Sequence, residues 1–205
     1  EILNLMGVRF LIGDQDKQDN RFKVVKEGQY TRIFENYDAF PRAFTVSNLK
    51  ILESVENLET YFKNASSNSL RDTAIFLKKD LEEIGGTALE FLLKKDSSTD
   101  ELADVKIIKF SSNRVFMEVE SKKSTLLVLT QSFHKGWSVY VDNKLSPVYP
   151  AYYAFLSTFV PEGKSKVEFR FSDPNYKIGN IIAIFTFVVI LLLMITSLIR
   201  NFRNK

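Results

Sequence analysis

Cysteine is absent from the 205 residues, which excludes disulfides and thiolate metal sites. Histidine occurs once, at position 134. A zinc site of several histidines is therefore excluded, no catalytic triad is apparent around it, and His134 beside Lys135 reads as a surface residue. Net charge is also scarce. The 28 basic and 25 acidic residues differ by three, and Arg200, Arg203 and Lys205 lie together at the C-terminal end with no acid among them. The remainder is balanced, and this argues against nucleic acid as a partner, because phosphate recognition needs clustered positive charge. The opening Glu1-Ile2-Leu3-Asn4 lacks the basic start and apolar core of a signal peptide, and no Met stands at position 1. The expectation is a piece of a longer protein. No LPxTG-like motif precedes the C-terminal region, and the basic tail does not fit a lipid-anchor signal.

What is present is a long uncharged run, Ile178 to Ile199. As a helix it would be about 33 Å long, close to the roughly 30 Å hydrocarbon thickness of a bilayer. Its apolar residues cover every face, whereas a helix lying on a membrane surface would carry a polar stripe. A transmembrane helix is expected at 178–199, followed by a basic tail at 200–205. Positive charge in that tail favours a cytoplasmic C-terminus. Lys164, Lys166, Arg170 and Lys177 on the other flank weaken the charge argument, so a tail-anchored cytosolic arrangement stays open.

Before the helix, hydrophobic residues (45% of the whole chain) are plentiful enough to build a core. Residues 1–100 read as a mixed α/β segment. Ile2–Met6 fits a short helix before Gly7, and Val8–Ile12 a strand. Phe22–Glu27 and Tyr30–Glu35 form a hairpin across Gly28-Gln29, and Arg42–Val46 is another strand. Val55, Leu58 and Phe62 make one apolar helical face behind Ser54. Asn64–Ser69 reads as a polar loop, Ala74–Leu77 as a strand and Lys94–Asp100 as a solvated turn. Residues 101–175 read as all-β. Val115, Met117 and Val119 alternate with Phe116, Glu118 and Glu120, as do Val167, Phe169 and Phe171 with Glu168 and Arg170. Leu126–Leu129 is a continuous apolar run of a central strand. Asp142-Asn143 turns Trp137–Val141 into Leu145–Tyr149, and Pro161–Lys164 is a further turn. The expected fold is mainly β (α+β): a β-sandwich, a small mixed N-terminal part and one C-terminal transmembrane helix.

Several of these stretches resemble the C-terminal part of YfhO-type bacterial membrane proteins. Leu3–Ile12 and Tyr30–Asn36, leading to Phe40-Pro41-Arg42-Ala43-Phe44, carry part of the likeness. Leu127–Trp137 followed by Val139, Val141, Asp142 and Lys144 is similar to that family's aromatic, Gly-Trp, strand, Asp-Gly-Lys hairpin. Val160–Gly163, Val167–Phe169 and the final hydrophobic helix continue it. Asn143 stands where the family has Gly, and Tyr152-Tyr153 where an Asn and an apolar residue are usual. The resemblance implies a polytopic, GT-C-like glycosyltransferase of the bacterial cytoplasmic membrane, using a lipid-phosphate-linked sugar. Its catalytic acid would lie in an early outer loop among N-terminal membrane helices that this sequence lacks. This chain would then be an extracytoplasmic accessory domain plus the last helix, without catalytic residues or a cofactor of its own. The implied partners are the bilayer, those missing helices and a cell-envelope glycan.

Few residues invite a site. Asp14-Gln15-Asp16 has the form of a metal–nucleotide motif but no surrounding βαβ pattern, and the following residues do not complete a calcium loop. Asp142, Glu162 and Asp173 fall at turns. Trp137, Tyr149, Tyr152 and Tyr153, with Phe155, form the most suggestive group. Two roles are open to them, stacking on sugar rings or a membrane interface on one hand and filling the core on the other. A non-enzymatic, membrane-anchored carbohydrate-binding or interaction module is the alternative function.

Overall fold

The computed structural model describes residues 2–14, 22–84 and 103–203. Lys94–Asp100 and the end of the Asp14-Gln15-Asp16 string fall outside them. Packing separates two units, Glu1–Arg170 and Phe171–Lys205.

The first unit starts with α1 (Ile2–Leu5). Gly7 ends it at φ +69°, where an added Cβ would lie 3.1 Å from the Phe40 carbonyl oxygen, so any other residue would be strained and crowded there. Asn36, buried, ties the turn down by donating to Asn4 Oδ1 at 2.8 Å and to the Val8 carbonyl at 3.0 Å. Strands β1 (Phe10–Asp14), β2 (Lys23–Glu27) and β3 (Thr31–Glu35) form a sheet of order β1-β3-β2. The expected hairpin across Gly28 is present, with the Gly28 N–H donating to the Thr31 carbonyl at 2.7 Å. Val25 is a bulge between the Val24–Phe34 and Lys26–Ile33 pairs.

The chain then enters a different sheet as β4 (Ala43–Val46). Next comes a crossover that periodicity showed only in part: β5 (Asn48–Leu52), α2 (Val55–Asn64), α3 (Ser67–Asp72), β6 (Thr73–Leu77) and α4 (Lys78–Ile84). Strands β5 and β6 pair in parallel, which requires a long connection such as the two helices supply. Ser54 caps α2 by accepting the Asn57 N–H. The polar stretch around Ser66 is not all loop. Ser66 Oγ accepts the Ser69 N–H at 3.2 Å, and fully buried Leu70 anchors the short helix that follows.

The remaining strands are β7 (Asp104–Ser111), β8 (Arg114–Ser121), β9 (Thr125–Ser132), β10 (Trp137–Val141), β11 (Lys144–Ser146), β12 (Tyr149–Ala151), β13 (Phe155–Val160) and β14 (Gly163–Phe171). They build a five-stranded sheet, β11-β10-β14-β8-β7, and a four-stranded sheet, β12-β13-β9-β4. Val115, Met117 and Val119 are buried on one face of β8, with Phe169 and Val167 opposite the first two. The Asp142-Asn143 turn has φ +49° and +65°, the left-handed pair a two-residue hairpin requires. Asp142 also accepts the Lys166 N–H at 2.8 Å and donates its own N–H to the Lys166 carbonyl at 2.8 Å, locking the hairpin onto β14. The expected strand Leu145–Tyr149 is divided. Lys144–Ser146 pairs with β10, whereas Tyr149–Ala151 pairs with β13 in the other sheet. Pro147 stands at the break, and a proline has no N–H to continue a ladder.

β9 is buried on both faces. Leu126 and Val128 belong to the main core with Leu58 of α2, Leu70 of α3, Ile75 and Phe76 of β6 and Leu81 of α4. Helices and a parallel pair, not a second antiparallel sheet, thus cover that face of the four-stranded sheet. No sheet among the described residues closes into a barrel or true sandwich. The fold is mixed α/β around a β-rich core.

The second unit is one helix, α5 (Pro174–Arg203). Asp173 accepts the Asn175 N–H at 2.8 Å ahead of it, and Pro174 begins it, as suits a first helical position. Ile178–Thr196 is long and apolar enough to cross a membrane, and none of that window is buried in the protein. Thr186 and Thr196 return their hydroxyls to the helix's own Ile182 and Leu193 carbonyls, both at 2.9 Å. Polar groups satisfied within the helix suit a lipid environment, which offers them no partner.

Candidate functional site

The turn after β9 brings the sole histidine and the sole tryptophan together. The Trp137 N–H donates to the His134 carbonyl at 3.0 Å, and the Gly136 N–H donates to His134 Nδ1 at 3.0 Å. With Nδ1 accepting, the neutral imidazole carries its proton on Nε2. β10 then starts with Trp137, whose side chain shares the inward parity of Val139 and Val141 and is 8% exposed. An open groove of about 390 Å³ lies beside this turn. Its walls include Phe133, His134, Lys135, Trp137 and Ser138, then Leu145 and Ser146 of β11, Val148 and Pro150, and Asp80 of α4. The walls thus combine an aromatic edge, two hydroxyls, a cationic and an anionic side chain and apolar surface.

The other aromatic candidates are elsewhere. Tyr149 is 2% exposed, between Phe76 and Phe159 at ring-centroid distances of 6.4 and 5.6 Å. Tyr152 is 3% exposed, with Phe44 and Phe155 both 6.5 Å away. The Tyr152 hydroxyl donates to the Leu70 carbonyl at 2.6 Å, and its N–H donates to the Ile75 carbonyl at 2.7 Å. Burial pushes the Tyr152 phenol well above its ordinary pKa. Tyr153 is half exposed, with Lys79 Nζ 5.9 Å from its ring centroid. Both tyrosines adopt positive φ, +51° and +70°, in the turn between β12 and β13. Phe155 is partly buried against the main core. Of the four, then, Trp137 is buried but borders the groove, Tyr153 meets solvent, and Tyr149 and Tyr152 face other core side chains. Asp80 carried no local signal in the sequence, because it reaches the groove from a helix more than fifty positions upstream of the histidine turn.

Asp142 sits in its hairpin turn, Glu162 precedes β14 and Asp173 leads into α5. Among the described residues, no three His, Asp or Glu side chains are placed to share a metal ion.

The groove walls from Phe133 to Pro150 and the whole of β7 to β14 lie within one recognisable segment. Residues 92–183 match the family model for bacterial membrane protein YfhO. That segment, under half of the chain, is what resembles the YfhO family. No curated protein and no solved structure gave a significant match. The matched segment ends inside α5, so it takes in β7 to β14 and the first part of the membrane-length helix.

One electrostatic feature of this segment yields a pH prediction. On β14, Glu168 is bound by the Arg170 and Arg114 guanidinium groups, and Arg170 also lies 4.5 Å over the Tyr140 ring. Hydrogen bonds from Arg170 and then Arg114 hold the Glu168 carboxyl down at about 2. A carboxylate whose folded pKa is depressed stabilises the fold above its ordinary pKa, and that contribution is lost as pH falls toward the folded value. The urea midpoint of the parent should therefore exceed that of Glu168→Gln at neutral pH. The gap should narrow between about pH 5 and pH 2. A gap that stays constant over that window would show that the carboxylate charge contributes nothing.

Proposed function

We propose that this chain is an accessory, non-catalytic part of a polytopic membrane glycosyltransferase-like protein, and that its groove contacts a cell-envelope glycan. The observation that carries the reading is the Trp137 groove, with its aromatic, hydroxyl and charged walls, beside a YfhO-like segment joined to a membrane-length helix. On this reading the parent resides in the bacterial cytoplasmic membrane with the folded unit on the extracytoplasmic side. Further membrane helices of the same protein hold the catalytic acid and the lipid-phosphate-linked sugar donor. Trp137, with Tyr153 on the neighbouring surface, contributes the aromatic contacts to the glycan. The alternative is a membrane-anchored glycan-binding module with no enzymatic parent, which the same groove favours equally.

Because Trp137 is the only tryptophan, its fluorescence reports groove occupancy directly. Envelope-derived oligosaccharides titrated into the detergent-solubilised chain should change Trp137 emission saturably, and the sugars should be recovered unaltered. Sugar transfer by the chain alone would overturn the accessory reading. An unchanged emission across the oligosaccharide set would overturn glycan contact at the groove. Transfer by the chain plus its parent helices, abolished when either is omitted, separates the first reading from the alternative.

A further inference from the structure

Most of the exposed large apolar side chains outside α5 fall between Ile2 and Tyr37, in α1 and the β1-β3-β2 sheet. Elsewhere in the folded unit they are scattered, and single exposed apolar residues need no explanation. This sheet is different because its pairing collects them. Residues directly opposite in antiparallel strands share a face. Ile12 lies opposite Ile33, with Lys26 beyond it on β2, while Phe10 and Lys23 flank Glu35 from either side. One face therefore carries Phe10, Ile12 and Ile33 in a patch bordered by Lys23 and Lys26. Phe10 is 54% exposed and Ile12 76%, and Tyr30 at the hairpin tip is 75% exposed. An apolar face of a small sheet is left to water only at a cost, and a patch of this kind marks a contact surface.

We propose that this face rests on the headgroup and upper acyl layer of a lipid bilayer. Three observations favour lipid over a second protein surface. First, the chain contains a membrane-length helix, and only Ser172 and Asp173 separate the end of β14 from it. So short a link keeps the folded unit at high effective concentration beside any bilayer the helix occupies. Second, the composition is interfacial: aromatic and aliphatic residues sit beside lysines whose stems reach past an apolar surface to phosphate. Of the described acids on this face, Glu35 within the patch is paired with Arg9 at 3.0 Å, with Arg9 5.5 Å from the Phe10 ring centroid, and Asp14 stands at its end opposite Thr31. Third, Lys23 and Lys26 occupy the edge strand β2, where lysines oppose edge-to-edge pairing with another sheet.

The absence of cysteine permits a direct test. The full chain is reconstituted into 3:1 phosphatidylethanolamine:phosphatidylglycerol vesicles with a spin label at Ile12→Cys or, as a solvent-facing reference on β14, at Lys166→Cys. Trp137 emission matching the parent confirms that each labelled chain is folded. Relative to Lys166, the Ile12 label should gain collisions with oxygen and lose them with a water-soluble nickel complex. The loss should lessen in pure phosphatidylcholine vesicles, where the lysines find no anionic lipid. Nickel accessibility at Ile12 equal to that at Lys166 would overturn the proposal. So would shielding from both reagents, which marks a protein contact.

Discussion

Truncation of Tyr152 to alanine should lower the stability of the folded unit by about 3–5 kcal/mol, the range for loss of a buried aromatic ring. Position 152 joins three parts of the structure. Its ring packs near Phe44 of β4 and Phe155 of β13, its hydroxyl holds the Leu70 carbonyl in α3, and its N–H holds the Ile75 carbonyl in β6. The substitution therefore opens a cavity and also frees the β5–β6 crossover from the four-stranded sheet. Tyr152→Phe separates the two effects. It keeps the ring and leaves the buried Leu70 carbonyl without that donor, so a loss of about 1–3 kcal/mol is expected. Urea unfolding of the solubilised chain, followed by Trp137 fluorescence, measures both. A Phe variant equal to the parent would show that the hydroxyl bond adds nothing, and an Ala variant within a kilocalorie or so of the parent would place Tyr152 outside the cooperative core.

The second large effect concerns α5. Val188→Asp combined with Leu192→Asp puts two carboxylates one turn apart in the middle of the Ile178–Thr196 window. On insertion scales each acid at a helix centre costs about 2.5–3.5 kcal/mol, before the lost apolar contribution is counted, so the pair should abolish stable spanning. The chain should move from the carbonate-resistant membrane pellet to the soluble or aggregated fraction. The folded unit should stay intact by Trp137 emission, because none of the window is buried in the protein. Retention of the double variant in the pellet would mean that something other than this helix holds the chain to membranes.

Much of the fold was legible where a periodic signal matched its element. The alternation of Val115, Met117 and Val119 marks a strand with one buried face, and Val55, Leu58 and Phe62 mark α2. The Asp142-Asn143 pair tolerates positive φ and marks a hairpin. The illegible parts depend on distant partners. Asn48–Leu52 becomes a strand because Thr73–Leu77 lies beside it, and no local pattern names that partner. Polar Ser67–Asp72 becomes a helix through a cap and the single anchor Leu70. The stretch Leu145–Tyr149 reads as one strand until Pro147 sends its two ends to different sheets. For the candidate site, the Gly136-Trp137 turn was visible, but the groove was not, since Asp80 enters from α4. Tyr149 and Tyr152 show the complementary limit. An aromatic run has the same spelling whether its rings meet a ligand or one another, and only burial distinguishes the two.

The break at Pro147 has one more consequence. Leu145 and Ser146 stand on the five-stranded sheet and Pro150 on the four-stranded one, yet all three wall the same groove. The groove is thus bounded by strands of two sheets within one compact unit, and its width depends on how the two are aligned. On the proposed glycan contact, an occupant of the groove would bridge the two sheets, and its fit would depend on their alignment as well as on the side chains that touch it.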